Sequence, residues 1–103
     1  MGSGAGEAGV GEQDVAIARA RLTNERGLHA RPCHAIATAA LASASTLRVR
    51  CADREVDGRS ILSLMTLGAA CGAELEFRAQ GPDARSLVSE LCALVEQHFA
   101  QFD

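Results

Sequence analysis

Apolar and polar residues alternate along two stretches of the chain. Leu47, Val49 and Cys51 interleave with Arg48 and Arg50, and Leu75, Phe77 and Ala79 interleave with Glu74, Glu76 and Arg78. A period of two predicts strands with one face buried and the other in water. Their polar faces carry opposite charge, arginine against glutamate, as expected of neighbouring strands joined by cross-strand pairs. Val15 to Leu22 reads as another strand, and Arg54 to Asp57 as a short one that ends in the turn Asp57-Gly58.

Elsewhere the spacing changes to that of helices. From Ala30 onward the apolar residues Cys33, Ile36, Ala37, Ala40 and Leu41 fall at i, i+3, i+4, i+7 and i+8, the stripe of an amphipathic helix. A longer stripe of Leu87, Val88, Leu91, Leu94, Val95 and Phe99 follows Gly81-Pro82 and predicts a last helix with Asp83 as its N-cap. His98, near its end, suits a cation at a helix C-terminus or a solvated residue. Between these lies a short apolar helix, Ile61 to Leu67, preceded by Ser60 as an N-cap hydroxyl. Its five large apolar residues cannot all point inward from two turns, so part of it is exposed, with Leu64 a candidate for the core. The order β-α-β-β-α-β-α, with helices on one face of an antiparallel sheet, describes an α+β open-faced two-layer sandwich.

With 103 residues and 48% hydrophobic content, the chain can build one modest core and not two. A net charge of −3, a pI near 5.5 and three aromatic residues, all phenylalanine, argue against nucleic-acid binding, which needs a basic stripe interleaved with aromatics. No stretch has the length of a membrane span, and residues 1–14 lack the basic start and apolar core of a signal peptide. A cytoplasmic location is therefore expected. Those first residues contain five glycines and predict a disordered extension ahead of a domain spanning 15–103.

The chemistry concentrates in Gly27-Leu28-His29-Ala30-Arg31-Pro32, where a loop (Thr23 to Gly27) turns into the first helix. His29 falls at or beside the N-cap. The first amides of a helix lack intrahelical acceptors and the peptide dipoles leave partial positive charge there, so an anion is favoured and an imidazolium disfavoured. Such a position favours a neutral, nucleophilic imidazole. Arg31 adds a planar donor fork suited to phosphoryl oxygens. Pro32 belongs in the first turn, where its missing N–H costs nothing, and Gly27 supplies backbone freedom to the approaching loop.

These motifs resemble the HPr family, the histidine phosphocarrier proteins of the bacterial phosphoenolpyruvate-dependent phosphotransferase system. The resemblance covers Val15 to about Phe99. It rests on the hexapeptide, on the run Asp57-Gly58-Arg59-Ser60-Ile61-Leu62-Ser63-Leu64-Met65-Thr66-Leu67-Gly68, on Gly72-Ala73-Glu74-Leu75 and on Gly81-Pro82-Asp83-Ala84, in that order. It implies a sheet of strand order 1-4-2-3 with three helices on one face, and a monomeric carrier without cofactor or metal. In that role His29 would accept, through Nδ1, a phosphoryl group from enzyme I and pass it to an EIIA-type or related regulatory acceptor. Arg31 and the helix amides would balance the charge. No independent turnover of a small molecule is implied.

The resemblance also implies that Ile61, Leu62 and Met65 join His29 and Arg31 as the docking face. It further makes Ser60 a regulatory site for an HPr kinase/phosphorylase, where phosphate would suit the helix dipole and repel partners. Asn24-Glu25-Arg26-Gly27 looks like the nitrogen-related branch of the family, whereas Pro32 is closer to the sugar-transport branch. A different class, a regulatory HPr-like binding module controlled at Ser60 without histidine phosphotransfer, typically lacks the histidine that this chain retains.

Cys33, Cys51, Cys71 and Cys92 are too far apart for a Cys-x-x-Cys motif and read as small hydrophobes rather than disulfides, with Cys51 and Cys92 facing the core. Cys33 departs from the small residue, such as alanine, usual in the family. It lies one turn after His29, where a thiol can have a lowered pKa and become oxidisable. A metal or redox site on His29, Cys33 and His34 is the weakest reading, because it crowds its ligands onto one turn without a distant fourth.

Overall fold

The computed structural model describes residues 14–97 and Phe99; the expectations for residues 1–13 and for His98 lie outside them. Strands β1 (Val15–Arg21), β2 (Thr46–Cys51), β3 (Arg54–Asp57) and β4 (Glu74–Gln80) form one antiparallel sheet in the order β1-β4-β2-β3. Helices α1 (Ala30–Ala42), α2 (Ile61–Met65) and α3 (Ala84–Glu96) cover one face of it. β4 is central, paired with β1 from Val15↔Gln80 to Arg21↔Glu74 and with β2 from Thr46↔Gln80 to Cys51↔Leu75.

The alternation in the sequence becomes the two faces of this sheet. Leu47 and Val49 of β2 and Leu75, Phe77 and Ala79 of β4 point into the core, where they meet Ile36 of α1, Leu64 of α2 and Leu87, Leu91 and Leu94 of α3. Each large side chain so buried contributes about 1.5–3 kcal/mol. β1 offers the core only Ala16, Ala18 and Ala20, half-buried, and α3 packs over β1 and β4. Val15 and Ile17 stay on the open face.

On that open face Arg19 and Arg50 share Glu76 at 3.0 and 3.9 Å. The predicted pairing of arginine with glutamate between β2 and β4 is present there alone among the described residues. One register step away Arg48 stands opposite Arg78 and turns instead to Glu55 of β3 at 3.1 Å. Exposed pairs of this kind are worth about 0–1 kcal/mol, so the inner face, not the outer, decides the register.

Four expectations need correction. β1 ends at Arg21, because Leu22 leaves the ladder to exchange backbone bonds with the 72–73 turn, donating to Ala73 O at 2.8 Å and accepting from Gly72 N at 2.7 Å. Leu41 is 60% exposed and lies off the buried stripe of α1, which instead includes Ala35 and Ala39. α2 stops at Met65, two residues short, and the Arg54 guanidinium donates to the Thr66 carbonyl at 2.7 Å just past its end. Phe99 reaches the core from beyond α3, through a backbone turn with φ of 58° whose amide donates to Leu94 O.

Asp83 occupies the N-cap position of α3, yet its side chain makes no capping bond. Its carboxylate instead accepts from the Ala44 amide at 3.0 Å and from the Ser45 hydroxyl, tying the α1–β2 connection to the start of α3. Gly81 completes the junction: its amide donates to Asp14 O at 2.9 Å, and a Cβ there would collide with Ser45. The Ser45 hydroxyl, then the Ala44 amide, hold the Asp83 carboxyl below its ordinary value. A depressed folded value means stability that is present above the ordinary aspartate pKa and lost as the pH falls through the lower one. Asp83→Ala is expected to melt earlier than the wild type near neutral pH, with the gap closing on acidification, as thermal unfolding at stepped pH will read.

Candidate functional site

The loop between β1 and α1 is held from beneath by the segment that follows α2. Gly27 N donates to Asn24 O at 3.0 Å, closing a turn that leaves Gly27 at φ of +66°, and Leu28 N donates to Ala69 O at 2.8 Å. A Cβ on Gly27 would lie 2.5 Å from Ala69 O and 2.8 Å from Ala70 Cα. Glycine is therefore required twice over, for the left-handed backbone and for the close approach. Leu28, 6% exposed, drops into the core behind it.

His29 follows as the N-cap of α1, with extended backbone angles, and its carbonyl accepts from Cys33 N at 3.0 Å. Its imidazole makes no capping bond, so the side chain is not spent on the helix it begins. His29 is half-buried, Arg31 is exposed and Pro32 is buried in the first turn. Together with Asn24, Glu25, Arg26 and Ala30 they line an open depression of about 610 Å³. The first-turn amides, the Arg31 guanidinium and the imidazole thus surround one hollow that can take an anion.

Asn24 was not singled out as a site residue by the sequence, although Asn-x-x-Gly is a turn signal. Its Nδ2 donates to Gly27 O at 2.6 Å, the same oxygen that accepts from His29 N at 3.1 Å. The carboxamide can only face that carbonyl through its nitrogen, which leaves Oδ1 buried and without a hydrogen-bond partner. A buried acceptor left unmade costs about 1–3 kcal/mol.

Of the two readings of Cys33, the structure supports the buried hydrophobe and not the activated thiol that its first-turn position allows. It is fully buried, its Sγ faces the Leu28 carbonyl at 3.9 Å, and burial pushes it up to about 11 from 9.0. Its side chain points away from the exposed His34, so the trio with His29 does not converge, and among the described residues no group of three His, Cys, Asp or Glu could hold a metal ion. Cys51 and Cys92 are half-buried against the core, whereas Cys71 is exposed; all four are free thiols.

Ser60 is the N-cap of α2, and its hydroxyl oxygen accepts from Ser63 N at 3.1 Å. Beyond it Ile61, Leu62 and Met65 are 36%, 78% and 44% exposed while Leu64 is buried, which separates the outward and inward sets that periodicity could not. α2 packs against α1, and the Leu28–Ala69 bond ties the segment after α2 to the His29 loop.

This fold and this placement of a histidine define an HPr-like open-faced sandwich. The family model for the PTS HPr component phosphorylation site matches residues 18–97. The chain is 31% identical to the phosphocarrier protein HPr of Treponema pallidum over 84% of its own length and 99% of that protein. It is 33% identical to the phosphocarrier protein HPr of Vibrio cholerae over 74% and 89% of the two chains. Among solved structures, HPr-C-His from Thermoanaerobacter tengcongensis superposes with a TM-score of 0.78 at 28% identity, covering 82% of this chain and 96% of that one. The chain belongs to the HPr family, the phosphocarriers of the phosphotransferase system that function with enzyme I and EIIA. No helix among the described residues is long and apolar enough to cross a membrane.

The burial of the thiols generates a prediction. Alkylation of the folded protein near neutral pH, mapped by peptide mass, is expected to modify Cys71 first and Cys33 only on unfolding. Because the folded Cys33 value is raised, its contribution to stability is whole below about pH 9 and lost as the pH rises through about 11.

Proposed function

We propose that this protein carries a phosphoryl group on His29, taken from phosphohistidine on enzyme I and given to a histidine or cysteine of an EIIA-type or related acceptor. The observation that carries the reading is an imidazole at the start of α1, half-buried in an open hollow beside Arg31 and free of any capping duty. In the transfer Nδ1 attacks phosphorus, the bond to the donor nitrogen breaks, and the electron pair returns to the donor ring. Arg31 and the first amides of α1 meet the charge of the arriving phosphoryl oxygens. A step of this kind depends on positioning and charge stabilisation, so a small domain suffices as one half of a composite site.

The exposed Ile61, Leu62 and Met65 supply the apolar part of the docking face, with methionine adaptable to several partners. Ser60 lies at the edge of this patch. Phosphorylation there by an HPr kinase/phosphorylase would set about two negative charges beside the docking residues while leaving α2 folded, since the helix start tolerates an anion. Regulation then acts on association and not on the fold.

Mixing the protein with enzyme I, magnesium and phosphoenolpyruvate and measuring intact mass tests the carrier. One acid-labile phosphoryl group is expected, absent in His29→Ala and acquired roughly ten- to a hundredfold more slowly in Arg31→Ala. A normally phosphorylated His29→Ala protein overturns the nucleophile. In the same assay Ser60→Asp is expected to raise the concentration needed for half-maximal transfer, whereas Ser60→Ala costs about 1 kcal/mol of stability and leaves transfer unchanged.

A further inference from the structure

Asn24 Oδ1 is the buried side-chain oxygen or nitrogen that has no hydrogen-bond partner among the described residues, and native proteins rarely tolerate such an atom without a use. Its orientation is not adjustable. Turning the amide over would set two oxygens against each other at the Gly27 carbonyl, which already receives Nδ2 at 2.6 Å. That carbonyl also receives His29 N at 3.1 Å, so the carboxamide and the His29 backbone are anchored on one atom. Asn24 and His29 line the same hollow, and His29 is its half-buried donor-bearing neighbour there, while Arg26 and Arg31 lie exposed in water.

We infer that Asn24 is a positioning residue for phosphoryl transfer, its Oδ1, unpartnered in the resting protein, becoming the acceptor for the Nε2–H of the His29 imidazole as the ring is phosphorylated. The inference rests on the carrier reading above. When Nδ1 forms its bond to phosphorus and the donor nitrogen takes back its electron pair, positive charge develops on the His29 ring and the proton stays on Nε2. That N–H becomes a stronger donor as the reaction proceeds, and a fixed carbonyl oxygen facing it stabilises the charged ring more than the neutral one. The Nδ2 bond to Gly27 serves this end by preventing the amide from rotating away.

The test uses the full chain phosphorylated by enzyme I, with wild type, Asn24→Ala and Asn24→Asp compared by the NMR signal of the His29 Nε2-bound proton. Asp loses the donor to Gly27 but keeps an acceptor, and its carboxylate, repelled by that carbonyl, is drawn to the positively charged phosphorylated ring; Ala loses donor and acceptor alike. A proton signal protected from exchange with water is expected in the phosphorylated wild type and in Asn24→Asp, and not in Asn24→Ala. Asn24→Ala is also expected to lower the maximal rate of phosphoryl acceptance ten- to a hundredfold, with little change in the enzyme I concentration at half rate. If Asn24 only closes the loop, both variants lose the Gly27 bond and behave alike. Equal proton signals in Ala and Asp, or an unchanged maximal rate in a folded Asn24→Ala, would overturn the inference. Absence of any phosphoryl group on wild-type His29 would instead overturn the carrier reading.

Discussion

The hydrogen bond from the Leu28 amide to the Ala69 carbonyl, with Gly27 seated against the same stretch of backbone, is the contact on which the site depends. It joins two loops far apart in sequence, one leading into α1 and one leaving α2. Leu28, Leu67 and Ala69 are each under a tenth exposed around it, so water does not compete for the bond and the close approach is stabilised by apolar burial on both sides. The consequence is that the loop carrying the His29 imidazole is tied by a backbone bond to the segment that follows α2, the helix that exposes Ile61, Leu62 and Met65.

Three helices start in this fold, and each treats its first turn differently. Ser60 spends its hydroxyl on α2, accepting from Ser63 N. Asp83, which the sequence offered as a cap for α3, turns its carboxylate to Ala44 and Ser45 and works as a clasp between elements. His29 makes no capping bond at all. A side chain that capped α1 would take up first-turn amides that are otherwise open to an anion, and a histidine used that way would have its ring tied down. The stability not gained at α1 leaves the imidazole and the first-turn amides open, as the proposed carrier role requires, while the two other helix starts serve the fold.

The strands and helices were legible because their periods differ: β2 and β4 stand as read from the alternation of Leu47, Val49, Leu75 and Phe77 with charged residues, and β3 as the short stretch from Arg54 that ends in the Asp57-Gly58 turn. The family resemblance added the strand order, which no local pattern contains. What was not legible came from tertiary contacts. Asp83 follows the local preference for an acidic N-cap, but a serine hydroxyl and an amide from another loop compete for it and win. α2 ends early after Met65, where the Thr66 carbonyl receives the Arg54 guanidinium from β3, a partner invisible along the chain. The exposure of Leu41 follows from α1 burying alanines where the sequence suggested leucine. Asn24 escaped notice because its importance lies in an atom left without a partner, and a sequence records residues, not vacancies in a hydrogen-bond network.

Cys33 shows why position along a helix is not enough to assign reactivity. A first-turn thiol gains from the helix dipole only if the thiolate can face water or a cation. Here the Sγ faces inward and burial outweighs the dipole, so the neutral thiol persists to high pH. The residue then acts as a small hydrophobe filling the space under the first turn, beside Leu28 and behind His29. A neutral group at that place adds no charge to the hollow, whose electrostatics are left to Glu25, Arg26, Arg31, the first-turn amides and the ring itself. The departure from the family's usual small residue is therefore a change in packing beneath the first turn of α1 and adds no reactive group to the hollow.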